Sequence, residues 1–221
     1  DLDELFRDGI VNILQHTKLS TVTRIKAVVN WTAIWLTIMQ MVRSVRYLNA
    51  DGIVAPIIID CGARHTQLRR ASQRCLKENQ AIIVEAVELC RGRKYGEKSR
   101  LSKQQADKIK SFFWATAATS KLLNAWRGRR HFTIGLDALE TLVLAGVEQG
   151  TQMTFGDFVH EWLYKKCHFV VGRTSAQEAG LLADFDASIF EDNEAKLVEQ
   201  MSAAGLLTEY SDATRMVGLE N

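Results

Sequence analysis

Proline is nearly absent from this chain of 221 residues, which contains a single one and 14 glycines. These low numbers exclude a proline-rich linker and a collagen-like repeat. Turn-forming residues are also too sparse for many short strands, so we expect helices to dominate the fold. The composition, 47% hydrophobic and 24% charged, is typical of a globular protein and excludes a disordered one.

Cysteines and long apolar runs are scarce as well. Four cysteines are too few for the dense disulfide frameworks of small secreted proteins, so we expect a reducing, cytoplasmic location. The most apolar run, residues 27–42, is shorter than the about 20 residues of a membrane-spanning helix. We interpret it as a buried helix and expect no membrane partner. Because the chain does not begin with methionine, we expect it to be a segment of a longer protein.

No common catalytic motif is complete, and we therefore expect a protein that is not an enzyme and that binds neither a cofactor nor a metal ion. His160-Glu161 begins a zinc-binding His-Glu-x-x-His pattern, but Tyr164 replaces the second histidine. Asp60-Cys61 follows a possible strand and could hold a nucleophile, although no partner base is recognisable. An enzyme domain that lacks its catalytic half stays open as a weaker alternative.

The spacing of apolar residues and the order of the predicted elements predict a mostly α fold of two domains. Residues 1–132 form a helical domain with most of the basic residues, and residues 133–221 form a second domain. In the second domain we predict a helix after Thr154, a strand at 169–172, helices at 174–183 and 192–204, and a short β-hairpin at 206–219. This order resembles that of a winged helix-turn-helix protein, which implies a winged-helix-like C-terminal module.

The net charge of +2 conceals a separation of charge along the chain. Residues 91–130 contain twelve lysines and arginines against two acids, a net charge of +10, whereas residues 174–221 have a net charge of −8. Such a basic segment is the electrostatic footprint of a protein that binds the phosphate backbone of a nucleic acid. The predicted nucleic-acid-binding residues are Arg69, Arg70, Arg74, Arg91, Arg93, Lys94, Lys98, Arg100, Lys103, Arg127, Arg129 and Arg130.

Two Arg-Gly-Arg tripeptides, at 91–93 and 127–129, resemble the core of an AT-hook without the prolines that flank it. The resemblance implies arginines that lie along an A·T-rich minor groove. Alternatively, both glycines end helices, and the basic neighbours complement the helix dipole. Nearby, Phe112, Phe113 and Trp114 could stack on bases, although their helical spacing is more typical of a core.

These patterns predict a non-catalytic nucleic-acid-binding subunit of an intracellular assembly, with DNA as the first candidate ligand. The helix predicted at 192–204 contains three acids against Lys196, and phosphates repel such a helix. We therefore expect the acidic C-terminal module to contact a protein partner. This module resembles accessory proteins of prokaryotic DNA-transaction and DNA-defence systems. The alternative is a structural adaptor or oligomerising scaffold that contacts no nucleic acid, in which the basic and acidic segments pair.

Overall fold

The computed structural model describes residues 1–49, 56–96, 100–125, 129–211 and 213–219. It confirms a mostly helical protein. The α-helices are α1 (Leu2–Gln15), α2 (Thr21–Leu48), α3 (Thr66–Tyr95), α4 (Lys103–Thr119), α5 (Leu136–Gly146), α6 (Phe155–Asp157, continued by a π-helix over Phe158–Lys166), α7 (Arg173–Glu178) and α8 (Ala187–Ala203). A 3-10 turn spans Leu181–Ala183, and the strands are β1 (Ile57–Ile58), β2 (Met153–Thr154), β3 (Phe169–Val170), β4 (Leu207–Glu209) and β5 (Arg215–Val217).

Helix α2 is the central element of the fold. It begins where the Ser20 side chain accepts a hydrogen bond from the Thr23 N–H, as predicted for a capping serine. Helices α1, α3, α4 and α5 all pack against it, and its Trp31, Ile34 and Ile38 are completely buried. Among the described residues, it is also the one helix long and apolar enough to cross a membrane, but 50% of its most apolar window is buried inside the fold.

Two stacked tryptophans connect the central helix to the C-terminal third of the chain. The rings of Trp31 in α2 and Trp162 in α6 are 5.8 Å apart. Each ring lies directly over a glycine, Gly9 of α1 or Gly146 of α5, where a Cβ atom would collide with the indole. Glycine therefore lets α1 and α5 approach α2 and α6 closely.

A buried asparagine connects helix α8 to the carboxyl ends of strands β1 and β3. Strands β1 and β3 pair in parallel, and α8 crosses their carboxyl ends. The completely buried Asn193 of α8 donates hydrogen bonds from its amide nitrogen to the carbonyls of Ile59 (3.0 Å) and Val171 (2.9 Å). Its amide oxygen accepts a hydrogen bond from the Cys61 N–H at 2.8 Å. One continuous hydrophobic cluster includes residues from both predicted domains, and the division at residue 132 stays a prediction.

The predicted elements of the C-terminal third are present with altered bounds. Thr154 caps α6 by accepting a hydrogen bond from the Asp157 N–H, and β4 and β5 form the predicted antiparallel hairpin. Helix α8 begins after Asp186, which caps it, rather than at residue 192, because Asn193 bonds to the strands instead of to the helix end. Helix α7 likewise begins after Gly172, without a side-chain cap.

The strands pair differently from what the predicted winged-helix-like order of elements suggests. The strand predicted at 169–172 forms β3, but this strand pairs with β1 and not with the hairpin. The hairpin is joined instead by β2, and the three strands lie in the order β2-β5-β4. Strand β2 directly precedes α6 and β3 follows its π-helical continuation, so the two ends of this helix lead into two separate small sheets.

Candidate nucleic-acid interface

Helix α3 places predicted basic residues at both of its ends. The sequence pattern predicts separate helices at 63–76 and 80–90, but they form one continuous helix because no helix-breaking residue lies between them. The predicted residues in its first three turns and its last two turns are Arg69, Arg70, Arg74, Arg91, Arg93 and Lys94. At about 1.5 Å of rise per residue, Arg69 and Arg93 are about 36 Å apart along the helix axis.

At the beginning of α3 lies the proximal cluster, which comprises Arg69, Arg70, Arg74, Arg129 and Arg130. The Asp60 carboxylate connects the beginning of α3 to the segment that follows Arg130, because Asp60 Oδ2 lies 3.1 Å from Arg69 Nε and 3.4 Å from His131 Nε2. His131 directly follows Arg130, so this contact places the backbone of residues 129–130 near Arg69. The Arg130 guanidinium carbon lies 3.3 Å from the centroid of the Trp114 ring, and burial lowers the pKa of Arg130.

Asp60 is ionised at neutral pH although its side chain is only 1% exposed. Burial raises its pKa, but hydrogen bonds from His131, from the Gly62 N–H and from Arg69 outweigh burial and hold the pKa below its ordinary value. The Asp60 carboxylate therefore neutralises part of the Arg69 charge. Arg69 is consequently less available to a phosphate than its exposed neighbours Arg70 and Arg74.

At the end of α3 lies the distal cluster, which comprises Arg91, Arg93, Lys94, Arg100 and Lys103. Arg93 stacks on Tyr47 at the end of α2, with 4.9 Å from its guanidinium carbon to the ring centroid. Arg93 and Arg100 line one groove of about 550 Å³ beside Leu48. The same groove contains Glu85 and Glu88, and these two acids offset the charges of the two arginines.

Carboxylates neutralise few of these cations. Among the ion pairs between described residues, one involves a predicted binding residue, namely Arg69 with Asp60. Apart from Arg69, the exposed members of the two clusters are Arg70, Arg74, Arg93, Lys94, Arg100, Lys103 and Arg129. An exposed side chain can reach a phosphate without breaking a buried contact, so these seven residues are the best candidates for binding.

The acidic segment 174–221 uses its carboxylates differently. Its acids pair with cations of the C-terminal third in four places, namely Glu178 with Lys165, Glu191 with Arg173, Glu199 with Lys196 and Glu209 with Arg215. Asp192 bonds to His65, with 2.9 Å between Oδ2 and Nε2. Among pairs of described residues, none joins a lysine or arginine of 61–130 to an acid of 174–221.

The first Arg-Gly-Arg tripeptide is not extended as in an AT-hook, and of the alternative interpretation only the position of Arg93 and Lys94 in the last turn of a helix is confirmed. Residues 91–93 are helical, and α3 continues to Tyr95 before Gly96 ends it. Gly92 therefore does not end a helix, and Arg91 and Arg93 do not face the same side because residues two apart diverge around a helix. Most of the second tripeptide, with Arg127 and Gly128, lies outside the described residues, as does Lys98.

The three aromatic residues of α4 have three different environments. Phe113 is completely buried, as its helical spacing predicts, and Trp114 supports Arg130. Phe112 is 54% exposed. No local sequence pattern shows that arginines stack on Tyr47 and Trp114, because the arginine partners are distant in the chain.

The structure gives no support to a nucleophile at Asp60-Cys61. The Cys61 side chain is 1% exposed, and burial raises the pKa of its thiol far above the ordinary value. Burial also raises the pKa of Cys75, to about 11. Within the described ranges, no group of three or more histidine, cysteine or acidic side chains is placed to hold a metal ion.

Comparison with known proteins gives no relative from which a function could be transferred. No protein-family model, no curated protein and no solved structure matches this chain. The functional inference therefore depends on the charges and geometry of the two clusters alone.

Proposed function

We propose that this protein binds nucleic acid, with DNA as the first candidate, and that the proximal and distal clusters hold the phosphate backbone. The observation that supports this function is that acids of the C-terminal third form ion pairs, whereas most exposed cations of the two clusters do not. Four acids of the C-terminal third pair with nearby lysines or arginines, whereas the exposed cations of the clusters other than Arg69 have no ion pair with a described acid. Mutual repulsion of these cations is relieved when phosphates approach them.

The spacing of the clusters also favours one continuous ligand. About 36 Å along α3 is close to the length of one turn of B-DNA, which is about 34–36 Å. A nucleic-acid segment of at least one helical turn is therefore long enough to reach from one cluster to the other.

We also propose that the C-terminal module is winged-helix-like and contacts a protein partner. Helix α5, strand β2, helix α6, helix α8 and the β4–β5 hairpin occur in the order typical of that fold, with β3 and α7 inserted between α6 and α8, and β2 and the hairpin share one sheet. One face of α8 packs on residues 59–61 through Asn193 and Gln200. Its exposed acids, Glu191, Asp192 and Glu199, disfavour entry into a DNA groove.

The test is a salt series of binding measurements by fluorescence anisotropy with a DNA duplex and a single strand. The triple variant Arg93→Ala, Lys94→Ala, Arg100→Ala removes three distal cations. The matched control Arg173→Ala, Lys196→Ala, Arg215→Ala removes three cations that pair with acids. We expect wild-type affinity to fall steeply with salt. In the distal variant we expect the slope of log affinity against log salt to be shallower by up to about 3.

The control variant is expected to retain the wild-type slope. Failure of the wild-type protein to bind either ligand at low salt would contradict the proposal. An equal loss of slope in both variants would also contradict it, because the effect would then depend on total charge and not on the clusters.

A second candidate function, a structural adaptor, is favoured by an apolar stripe on α2. Val22, Ile25 and Val29 are 77%, 57% and 55% exposed, and their spacing places them on one side of the helix. An adaptor predicts that Ile25→Glu abolishes self-association or partner capture without changing affinity for nucleic acid. Sedimentation velocity of the wild-type protein and of Ile25→Glu, each with and without DNA, distinguishes the two functions.

A further inference from the structure

Beside the distal cluster, helices α2, α3 and α4 enclose a second groove. Its volume is about 470 Å³, within the range of about 300–1,000 Å³ that is typical of small-ligand sites. Its apolar walls are formed by Met39 of α2, Ile83 and Val87 of α3, and Ile109 and Phe112 of α4. Phe112 is 54% exposed, so its aromatic side chain is accessible at this groove.

The charges around this groove are positive. Arg43 and Lys108 are among its lining residues, and no carboxylate is present among the described residues that line it. Arg43 is bonded to Asp3 at 2.9 Å on the protein surface, whereas Lys108 has no ion pair with a described residue. The neighbouring groove beside Leu48 contains Glu85 and Glu88. Of these two grooves, the Phe112 groove is therefore the better complement to an anionic strand.

We infer that this groove takes an unpaired base of single-stranded nucleic acid, with Phe112 stacked on the base and Lys108 close to an adjacent phosphate. The inference rests on the proposed function, because the distal cluster must first hold the strand. An aromatic side chain offers every base a stacking partner, so this contact is tolerant of sequence. Bases inside a duplex already stack on one another, and a duplex therefore gains nothing from the groove.

The test compares three probes at one salt concentration: oligothymidylate, oligouridylate and a blunt DNA duplex of the same length. In Phe112→Leu, which keeps an apolar side chain but removes the aromatic ring, we expect affinity for oligothymidylate to fall about tenfold. Affinity for the duplex is expected to stay within about twofold of wild type. Phe112→Tyr should restore the affinity for oligothymidylate, because a tyrosine ring also stacks.

Two further variants connect the effect to this groove. Tyr210→Leu removes an aromatic ring of similar exposure, 48%, from the acidic hairpin region and should leave all three affinities unchanged. Lys108→Ala should reduce the salt slope for oligothymidylate by about 1, the effect of losing one phosphate contact.

The outcomes separate this inference from the proposed function. If the wild-type protein binds none of the probes, the proposed function is wrong. If wild type binds oligothymidylate and oligouridylate and Phe112→Leu binds both equally well, the base-binding groove is wrong while phosphate binding stands. An equal loss for single strand and duplex would also overturn the inference, because the ring would then have only a structural role.

A change of oligomeric state in Phe112→Leu, with unaltered binding, would assign the groove to a second copy of the chain. A selective loss with oligouridylate alone would support the groove with RNA as its ligand.

Discussion

The basic segment 61–130 and the acidic segment 174–221 have opposite charges and use them in different ways. The acidic segment forms ion pairs with cations from its own third of the chain, such as Glu191 with Arg173. The basic segment leaves most of its exposed cations without a carboxylate among the described residues. A net charge of +2 is thus a sum over separate regions and not the result of pairing between them. Exposed cations of the basic segment are therefore available to an external anion, whereas half of the described acids of the acidic segment already pair with a lysine or arginine.

Two carboxylates in the interior show the same contrast on a smaller scale. Asp60 lies at the edge of the basic segment, where His131, the Gly62 N–H and Arg69 together hold its pKa below the ordinary value against the effect of burial. Glu194 lies in the acidic segment, where burial raises its pKa more than the Arg173 N–H and Arg215 lower it. Asp60 therefore stabilises the fold as an anion, whereas the ionised form of Glu194 is unfavourable.

The largest expected effect comes from breaking the contact between the two segments. Asn193→Leu removes all three hydrogen bonds to the strand ends, namely those to Ile59, Cys61 and Val171. It leaves buried backbone groups without partners, so we expect the free energy of unfolding to fall by about 3–5 kcal/mol. Urea denaturation followed by circular dichroism measures this change.

The matched control is Asn49→Ala, at an exposed asparagine after α2. We expect it to change the free energy of unfolding by less than about 0.5 kcal/mol. A similar stability for Asn193→Leu and wild type would mean that α8 does not depend on the strand ends, and the two segments would then be structurally independent.

Asn193 also shows what the sequence could and could not predict. Ser20 and Thr154 begin helices as their capping preferences indicate, because a cap is a local interaction. Asparagine has the same local preference, and residue 193 is therefore predicted at a helix end. In the fold, bonds to strands more than 20 and 130 residues away place it inside α8 instead. No local pattern contains the pairing of β1 with β3 that creates those bonds.

The candidate interface was predictable to a similar degree. A local count of charge identifies Arg70, Arg74 and Arg93, and all three are exposed. That count cannot show that Asp60 neutralises part of the Arg69 charge or that Tyr47 supports Arg93. Such contacts depend on which helices become neighbours. Charge patterns therefore predict the sign of a surface, and tertiary packing decides which cations are available.

A smaller effect is expected when the basic segment loses its own internal acid. Asp60→Asn weakens the contacts to Arg69 and His131, and we expect it to lower the free energy of unfolding at about pH 7 by about 1–3 kcal/mol. The contribution of Asp60 is present above its unfolded-state pKa of about 3.9 and is lost as the pH falls through the lower folded-state value. The difference between variant and wild type should therefore shrink during acidification.

Urea denaturation at a series of pH values measures this dependence, with Asp184→Asn at an exposed aspartate as the control. A constant difference at every pH would show that the variant acts through packing. In that case Asp60 would not differ from Glu194 in the way that their pKa shifts indicate.

The smallest expected effect has the opposite sign and concerns Glu194 in the acidic segment. Its carboxylate lies against Gly172, where a Cβ atom would collide with it, and it accepts a hydrogen bond from the Arg173 N–H. Because its folded-state pKa is raised, the cost of its charge is present at neutral pH and disappears as the pH falls through the folded-state value. Glu194→Gln removes the charge and keeps an oxygen that can accept the same bond, so we expect a gain of up to about 1 kcal/mol at about pH 7. The gain should vanish in acid, where the wild-type residue is protonated, and Glu148→Gln at an exposed site should show neither effect. A loss of stability at neutral pH that disappears in acid would instead mean that α7 needs the negative charge at its N-terminus, and both carboxylates would then stabilise the fold as anions.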